Sequence, residues 1–546
     1  MTALAQSLMP HLIVAPILLP MLTAAMMLLL GEGRRPAKLV LGMSSALLGL
    51  AVAVTLLAWV QEYGVVAYLP GNWPAPFGIA LAVDRLSAEM LVLTWVLGAC
   101  ALSFASVRWH RAGVHFHPLS QLQLMGLSGA FLTADVFNLF VFFEILLAAS
   151  YGLLLHGSGR SRVRAGVHYV AINLAASSLF LIGASMIYGI TGTLNMAELS
   201  ARLSEGAVAN RHLIDAGAAI LAVAFLAKAA AWPLNFWLVP AYASATPPVA
   251  ALFAVLTKVG IYALVRLWTL MFAGGPLAGF GADGLFVFGL VTAVLAALGM
   301  IASHRLASQA AWGVVVSAGT LLAALGFGEE AVLGGAVFYL VSSTLASSGF
   351  FLLVDLVERW RVGATVVDEA PFLSATLEAQ EVNLDDEEEP LVALPFPAST
   401  ALMALAFVAC ALLISGLPPL STFVGKLGML SAALAVREET GSVPTRAWLF
   451  VGGLLGSGLL VLIALTRTGI RTFWSEMQRE PPRVRAAEGL PVVALLAACV
   501  ALTLAAAPTM ELARATAQSL YDRRGYTHAV LGARVRMPTP APEAAR

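Results

Sequence analysis

The chain has 546 residues, of which 60% are hydrophobic and only 11% are charged, whereas soluble domains carry about a quarter charged residues. Apolar runs of about 20 residues, long enough to cross a bilayer as helix, recur from end to end. The formal net charge is zero, and no basic stripe with interleaved aromatic residues indicates nucleic-acid binding. The cysteines Cys100, Cys410 and Cys499 are solitary, which argues against a disulfide framework or a zinc or iron–sulfur site. We therefore predict a membrane protein without a cofactor.

The apolar runs predict an all-α polytopic protein with about fourteen transmembrane helices. The first run lacks a basic n-region and a small-residue cleavage site, so it is predicted to be a retained span rather than a signal peptide. The approximate limits of the spans are 11–30, 38–60, 86–108, 118–135, 137–156, 165–190, 213–232, 248–271, 285–303, 306–326, 330–357, 398–436, 446–466 and 489–510.

Loop cations predict the orientation. Alternate loops hold Arg34, Arg35, Lys38, Arg108, Arg111, Arg160, Arg162, Arg164, Arg305, Arg359, Arg361, Arg467, Arg471, Arg479, Arg483 and Arg485. The opposite loops hold only Arg85, Arg202, Arg211, Arg437 and Arg446. The positive-inside rule then places both termini in the periplasm of a bacterial inner-membrane protein. An acidic run at 385–389 within the loop 358–397 is predicted to be a solvated insertion.

The lysines are distributed differently from the arginines. Lys38 is predicted to lie in a loop, but Lys228, Lys258 and Lys426 fall within predicted spans. Each charge at the centre of a membrane helix costs about 2.5–3.5 kcal/mol on insertion scales. A buried lysine can shift its pKa and release its proton, whereas arginine stays charged. Three lysines at membrane depth therefore indicate proton handling.

Glu144 is the only carboxylate that the sequence places well inside a span, and Lys228 is its predicted partner. Opposite charges in a low dielectric favour each other's ionised form, so separating them would release the lysine proton. A pair that opens and closes is a proton switch. The alternative is a static ion pair that fixes helix packing.

Two spans contain helix-breaking residues close to a lysine. Pro233 follows Lys228 by five residues, while Pro418 and Pro419 precede Lys426. Freed backbone groups within a membrane are tolerated only against protein or water, so the first break suggests a hydrated cavity. Interrupted helices at corresponding places in two halves are typical of repeat-built transporters. Either break alone is also explained by kinking for packing.

Neutral polar residues at membrane depth or at span ends are candidate relay members between the lysines. The secondary candidates are His168, His304, Ser342 and Ser347. Further polar residues in the same region are Ser303, Ser308, Gln309, Ser317, Thr320, Tyr339, Ser343, Thr344 and Ser348. Most serines and threonines in membrane helices bond their own backbone or pack closely, which is the alternative for each of them.

Four segments carry a resemblance to a known family: FFEILLAASYGLLLHG, YGITGTLNMAELS, FLAKAAAWPLNFWLVPAYASATPPVAALFAVLTKVGIYALVRLW and SGLPPLSTFVGK. They resemble the antiporter-like membrane subunits shared by multisubunit cation/proton antiporters and respiratory complex I, over roughly residues 80 to 470. Within that superfamily the chain is most similar to the D-type subunits of Mrp, Mnh and Pha antiporters, particularly the Pha branch associated with potassium efflux.

The resemblance implies fourteen helices with two inverted five-helix repeats, each containing a broken helix. The implied division is three helices in 1–117, repeats in 118–271 and 285–467, and a last helix with a polar tail in 468–546. Residue by residue, Glu144 and Lys228 match the family's glutamate–lysine pair, Lys258 its relay lysine, and Lys426 the lysine of the second broken helix. The implied partners are the other subunits of a hetero-oligomeric Na⁺ or K⁺/proton antiporter, membrane lipid, protons and the cation.

Departures from the family pattern concern the relay. Asn235 stands where many complex I relatives have histidine, which favours the Mrp side. Ser342 stands where relatives often carry histidine, so the step between Lys258 and Lys426 is predicted to use water or a neighbouring serine.

Three functions remain open at the level of sequence. The first is the proton-translocating subunit of a cation/proton antiporter, a secondary transporter rather than an enzyme. The second is a proton-pumping, non-redox subunit of a quinone oxidoreductase or membrane hydrogenase. The third is a lipid-embedded scaffold, against which the cost of four buried charges argues. No cluster of carboxylates and carbonyls suggests a cation site, so the metal-binding residues are not assigned.

Overall fold

The computed structural model describes residues 9–157, 159–204, 210–274, 277–368, 398–437, 441–473 and 484–533, with side chains of the fourth range described up to 360. Helices dominate these ranges, which confirms the predicted all-α class. The acidic run 385–389 lies outside the described residues.

The helices of the N-terminal half surround one short pair of strands. Their bounds are α1 (Ala15–Leu29), α2 (Arg35–Tyr63), α3 (Arg85–Ala105), α4 (Phe116–Leu132), α5 (Val136–Leu154), α6 (Arg160–Thr191), α7 (Met196–Ser204), α8 (Arg211–Lys228), α9 (Leu238–Ser244) and α10 (Pro247–Phe272). Single 3₁₀ turns occupy Met9–Ile13 and Trp109–Arg111. The strands β1 (Val66–Tyr68) and β2 (Leu81–Val83) pair antiparallel between α2 and α3 with Ala67 opposite Ala82.

The C-terminal half is helical throughout its described ranges. Its helices are α11 (Ala282–Ala302), α12 (Leu306–Phe327), α13 (Glu330–Asp368), α14 (Ala398–Ser415), α15 (Ser421–Ala435), α16 (Thr445–Phe473), α17 (Ala486–Leu504), α18 (Ala506–Tyr521) and α19 (Arg523–Leu531). The helices α18 and α19 lie in a region that is predicted from the sequence to be the end of the last span and a polar tail.

Within the described residues, 11 helices are long and apolar enough to cross a membrane: α2, α3, α5, α6, α10, α11, α12, α13, α14, α16 and α17. The three other predicted spans correspond to the shorter helices α1 and α4 and to the interrupted pair α8 and α9. The second interrupted helix consists of α14 and α15. Each predicted repeat therefore contains one broken helix, whereas the repeat boundaries stay predictions.

Burial separates central from peripheral helices. The most apolar window of α10 is 100% buried, and those of α12 and α13 are each 94% buried. The corresponding windows of α2, α16 and α17 are only 28–39% buried and present apolar side chains outward. A helix that is apolar on all sides is expected at the centre of a large bundle. The central three helices carry the polar groups described below.

Two glycines allow α11 and α12 to pack backbone against backbone. A Cβ at Gly319 would lie 2.4 Å from the backbone nitrogen of Ala293, and one at Gly289 would lie 2.2 Å from that of Ala323. Small residues permit such approaches between membrane helices. The close packing of α12 against α11 fixes the position of α12, which also contacts α10 and α13.

Candidate functional site

The first helix break begins at Lys228, the last residue of α8. Residues 229–237, including Pro233, are irregular before α9 begins, so the predicted interruption is confirmed as a full break rather than a kink. Backbone groups freed inside a membrane need partners from protein or water. One of them, the backbone N–H of Trp232, donates to the Thr292 hydroxyl at 2.9 Å. The break is thus anchored to α11.

A serine hydroxyl lies between Glu144 and Lys228. The Lys228 ammonium donates to Ser177 Oγ at 3.3 Å, and the Ser177 hydroxyl in turn donates to the Glu144 carboxylate. The ammonium also lies 4.9 Å from the centroid of the Phe143 ring, a cation–π distance. The structure therefore brings the predicted pair together, but through Ser177 of α6 instead of by direct contact.

Lys258 lies near the middle of α10 and is 1% exposed. Its ammonium donates to the hydroxyl of Ser317 on α12. That hydroxyl donates to the carbonyl oxygen of Val314 at 2.9 Å. In the described part of the chain, none of the ion pairs involves a lysine. The bonded partner of Lys258 is therefore a neutral group.

The second break separates α14 from α15 and contains Pro418 and Pro419, as predicted. The Thr422 hydroxyl donates to the carbonyl oxygen of Leu413 at 2.5 Å, which spans the break from one half-helix to the other. The two breaks differ in one respect. Lys228 is the last residue of the half-helix before the first break, whereas Lys426 lies in the half-helix after the second break.

Lys426 reaches back across this break. Its ammonium donates to the carbonyl oxygen of Ser415, the last residue of α14, at 2.8 Å. The side chain passes over Gly416, whose φ of +73° is in the left-handed region that favours glycine. A Cβ at Gly416 would lie 2.5 Å from Lys426 Cδ. The turn thus favours glycine here, and a larger residue would also displace the lysine side chain.

Buried polar side chains of α12 and α13 lie between Lys258 and Lys426. Ser317, the partner of Lys258, lies three residues before Thr320 on α12, and residues at that spacing share a helix face. The hydroxyl of Tyr339 on α13 lies close enough to Thr320 to interact with it, and the Tyr339 ring centroid lies 6.0 Å from the Lys426 ammonium. All of these side chains are buried. In the sequence, Ser317, Thr320 and Tyr339 are not distinguished from the other polar residues of this region.

The four secondary relay candidates, His168, His304, Ser342 and Ser347, have no part in the lysine contacts described above. His168 is exposed, with Nδ1 2.9 Å from the carbonyl oxygen of Arg164, and His304 is exposed as well. Ser342 exchanges a 2.6 Å hydrogen bond with Ser421 at the start of α15. Ser347 donates to a backbone carbonyl at 2.8 Å. Among the hydrogen bonds of the described residues, none joins one of these four side chains to a lysine.

Two buried charged groups differ from the sequence-based expectations. Lys38 lies in the first turn of α2, not in a loop, and is only 4% exposed. This burial shows that the side chain of Lys38 packs against the protein and does not extend into a loop. Glu89 of α3 is 9% exposed and accepts a 2.6 Å hydrogen bond from the Thr516 hydroxyl. Glu144 is therefore not the only carboxylate within a span.

A buried ion pair at one end of α10 was not predicted from the sequence. Arg266 binds Asp84 through two hydrogen bonds of 2.6 and 2.7 Å, and both side chains are at most 4% exposed. Asp84 also caps α3 by accepting from the backbone of Ser87 at 2.9 Å. Although burial raises the pKa of Asp84, the guanidinium and the cap outweigh it and hold that pKa below its ordinary value. An arginine inside an apolar run was the available signal.

A polytopic helical bundle with two interrupted helices, each bearing a buried lysine, defines a protein of the antiporter-like membrane-subunit class. Residues 133–382 match the family model described as NADH:quinone oxidoreductase/Mrp antiporter, transmembrane. The chain belongs to the family of D-type subunits of multisubunit cation/proton antiporters, on the strength of the following relatives.

A probable K⁺/H⁺ antiporter D-type subunit of Rhizobium meliloti is 49% identical over 533 residues, covering 96% of this chain and 98% of the relative. A Na⁺/H⁺ antiporter D-type subunit of Alkalihalophilus pseudofirmus is 30% identical over 530 residues, covering 96% and 100%. Among solved structures, a chain of the Mrp complex from Dietzia sp. superposes with a TM-score of 0.79 at 26% identity, covering 97% of this chain and 100% of that one. The predicted family and fold class are confirmed.

Proposed function

We propose that this chain is the proton-translocating subunit of a multisubunit Na⁺ or K⁺/proton antiporter of the bacterial plasma membrane. The observation that carries the proposal is the connection Glu144–Ser177–Lys228 beside a helix break, in which Ser177 and Lys228 are buried and Glu144 is partly buried. A carboxylate and an ammonium that share one hydroxyl stabilise each other without direct contact. Ser177 accepts from the lysine and donates to the carboxylate, so a small rotation of this hydroxyl changes both contacts.

Separation of Glu144 from Lys228 supplies the release step of the proposed switch. With the carboxylate near, the ammonium form of the lysine is favoured. With the carboxylate displaced, burial disfavours the charge and the lysine releases its proton. The broken helix is suited to this movement, because its irregular segment has no continuous helical ladder to resist it.

Onward transfer is proposed to run from Lys258 through Ser317, Thr320 and Tyr339 to Lys426. Each hydroxyl can donate one hydrogen bond while accepting another, which is the requirement for passing a proton. The route follows the central helices α10, α12 and α13, which shield it from lipid. It specifies the step for which the sequence predicts water or a neighbouring serine. Ser342 itself adjoins the half-helix of Lys426 through Ser421.

The proposed partners are the other membrane subunits of the complex, lipid, protons and the exported cation. Potassium is the first cation to test, because the 49% identical relative is described as a probable K⁺/H⁺ antiporter subunit. We further propose the topology predicted from the loop arginines, with both termini in the periplasm. In this proposal the chain is a secondary transporter subunit and catalyses no covalent reaction.

The proposed function is tested by cation-driven proton movement in everted vesicles that contain the whole complex. A pH-sensitive dye reports the gradient after respiration, and KCl or NaCl is then added. We expect either salt to dissipate the gradient only when this chain is present. Proton pumping that requires an electron donor and ignores both cations would assign the chain to a redox pump instead.

Tyr339→Phe tests the route between Lys258 and Lys426. Loss of the hydroxyl removes its contact with Thr320 but keeps the ring beside Lys426. We expect antiport to fall about 100-fold, at the lower end of the range for removing a proton-transfer group. Tyr262→Phe is the matched control. That hydroxyl is equally buried on α10 but donates to the carbonyl oxygen of Phe131 at 2.7 Å. An unchanged rate in Tyr339→Phe would exclude this route.

A further inference from the structure

A large cavity lies where α3, α13 and α17 end or begin on the arginine-rich side of the bundle. Its volume is about 840 Å³. The charged and aromatic residues that line it are Arg108, Trp109, Arg111, Arg359, Arg485 and Glu488. Four arginines and a single carboxylate thus line one cavity.

The carboxylate is already engaged by one of the four arginines. Arg359 lies 2.9 Å from Glu488 and 3.2 Å from Asp355. Among the described residues, no carboxylate oxygen lies within 4.0 Å of Arg108, Arg111 or Arg485. The cavity therefore carries an excess of positive charge over the charges that the described chain supplies.

The chemistry of these groups favours a phosphate. A guanidinium presents parallel N–H donors that match the oxygens of a phosphate in bidentate fashion. Several guanidinium groups around one cavity can bind a phosphate, which has more acceptor oxygens than a carboxylate has. Arg108 is further held over the face of Trp109, 5.0 Å from the ring centroid, which orients its guanidinium without neutralising it.

The position of the cavity favours a lipid as the source of that phosphate. It opens at the beginning of α17, where Leu490 and Val493 are 65% and 61% exposed one to two turns after Arg485. Exposed apolar side chains on a membrane helix contact acyl chains, and tryptophan is enriched at the level of the headgroups. By the positive-inside rule this is the cytoplasmic side, where anionic lipids attract basic segments.

We propose that this cavity binds the phosphate headgroup of an anionic phospholipid, whose acyl chains lie along the outward face of α17. The bound lipid joins the ends of α3 and α13 to the peripheral helix α17. This site is separate from the proton pathway, so its occupancy is measurable whether or not the chain transports protons.

The test is lipid binding to the purified whole complex, measured by native mass spectrometry. The probes are phosphatidylglycerol and phosphatidylcholine with the same acyl chains, and inorganic phosphate in a separate arm. We expect selective retention of phosphatidylglycerol. The double variant Arg108→Gln/Arg485→Gln should bind it about 30-fold more weakly, since each basic residue near the surface contributes about 1 kcal/mol.

Arg471→Gln is the matched control, because Arg471 is an exposed arginine near the end of α16 on the same side but outside the cavity. We expect this variant to bind phosphatidylglycerol as the unchanged complex does. Equal retention of the two lipids, an equal loss in the control, or binding of phosphate alone with no lipid preference would overturn the proposal. Co-purification of the other subunits confirms that each variant complex is assembled.

Discussion

Lys228→Ala is expected to reduce cation-driven proton movement to background, at least about 100-fold below the unchanged complex, as for loss of a positioned acid–base group. Without the ammonium, Ser177 and Glu144 lose the bonded group that can take up and release a proton. Glu144→Gln should have a similar effect, because a neutral amide no longer favours the charged lysine. The measurement is the initial rate of dye dequenching in everted vesicles after addition of KCl or NaCl.

Neighbouring serines on α6 provide the control for this prediction. Ser177→Ala should lower the rate about tenfold, because water can replace a bridging hydroxyl only in part. Ser178→Ala should leave the rate unchanged, since that hydroxyl is exposed and donates only to its own helix, at the carbonyl oxygen of Leu174. Full antiport in Lys228→Ala or Glu144→Gln with the complex assembled would contradict the proposed switch.

Asp84→Asn is expected to destabilise the folded chain by about 3 kcal/mol, because breaking a buried ion pair leaves an uncompensated charge. Asparagine caps a helix about as well as aspartate, so the loss reports on the bond to Arg266 and not on the cap of α3. The guanidinium of Arg266 lies between the rings of Tyr262 and Tyr526, 5.4 and 5.2 Å from their centroids. Thermal unfolding of the detergent-purified protein measures the effect.

A second substitution at Arg266 is expected to restore the stability that Asp84→Asn removes. Adding Arg266→Met to Asp84→Asn removes the orphaned charge and should restore most of the lost stability. Because the pKa of Asp84 is lowered, the contribution of the pair is present at neutral pH and is lost only as the pH falls below the ordinary pKa of an aspartate. An unfolding temperature in Asp84→Asn equal to that of the unchanged protein would show that the pair contributes little.

The sequence predicts those features that depend on residues close together in the chain. The spans follow from the lengths of apolar runs, and the two breaks follow from Pro233, Pro418 and Pro419. The buried lysines are evident because a charge within an apolar run is costly and rare. Each of these features is local, and the structure contains each of them.

Features that depend on the packing of distant helices were not predictable in the same way. Ser177 lies 33 residues from Glu144 and 51 from Lys228, so its place between them depends on how α6 packs. Asp84 and Arg266 are 182 residues apart. The sequence predicts Lys38 in a loop together with Arg34 and Arg35, whereas the structure begins α2 at Arg35 and buries the lysine. Hydropathy gives the depth of a residue but not its rotation about the helix axis.

The central claim is that the buried lysines act by releasing protons and not as fixed charges. The most direct test is Lys258→Arg, which keeps the positive charge beside Ser317 but cannot release a proton at working pH. We predict that vesicles with the fully assembled variant complex show no cation-driven proton movement above background. A rate equal to that of the unchanged complex would contradict the claim and leave Lys258 a purely electrostatic role.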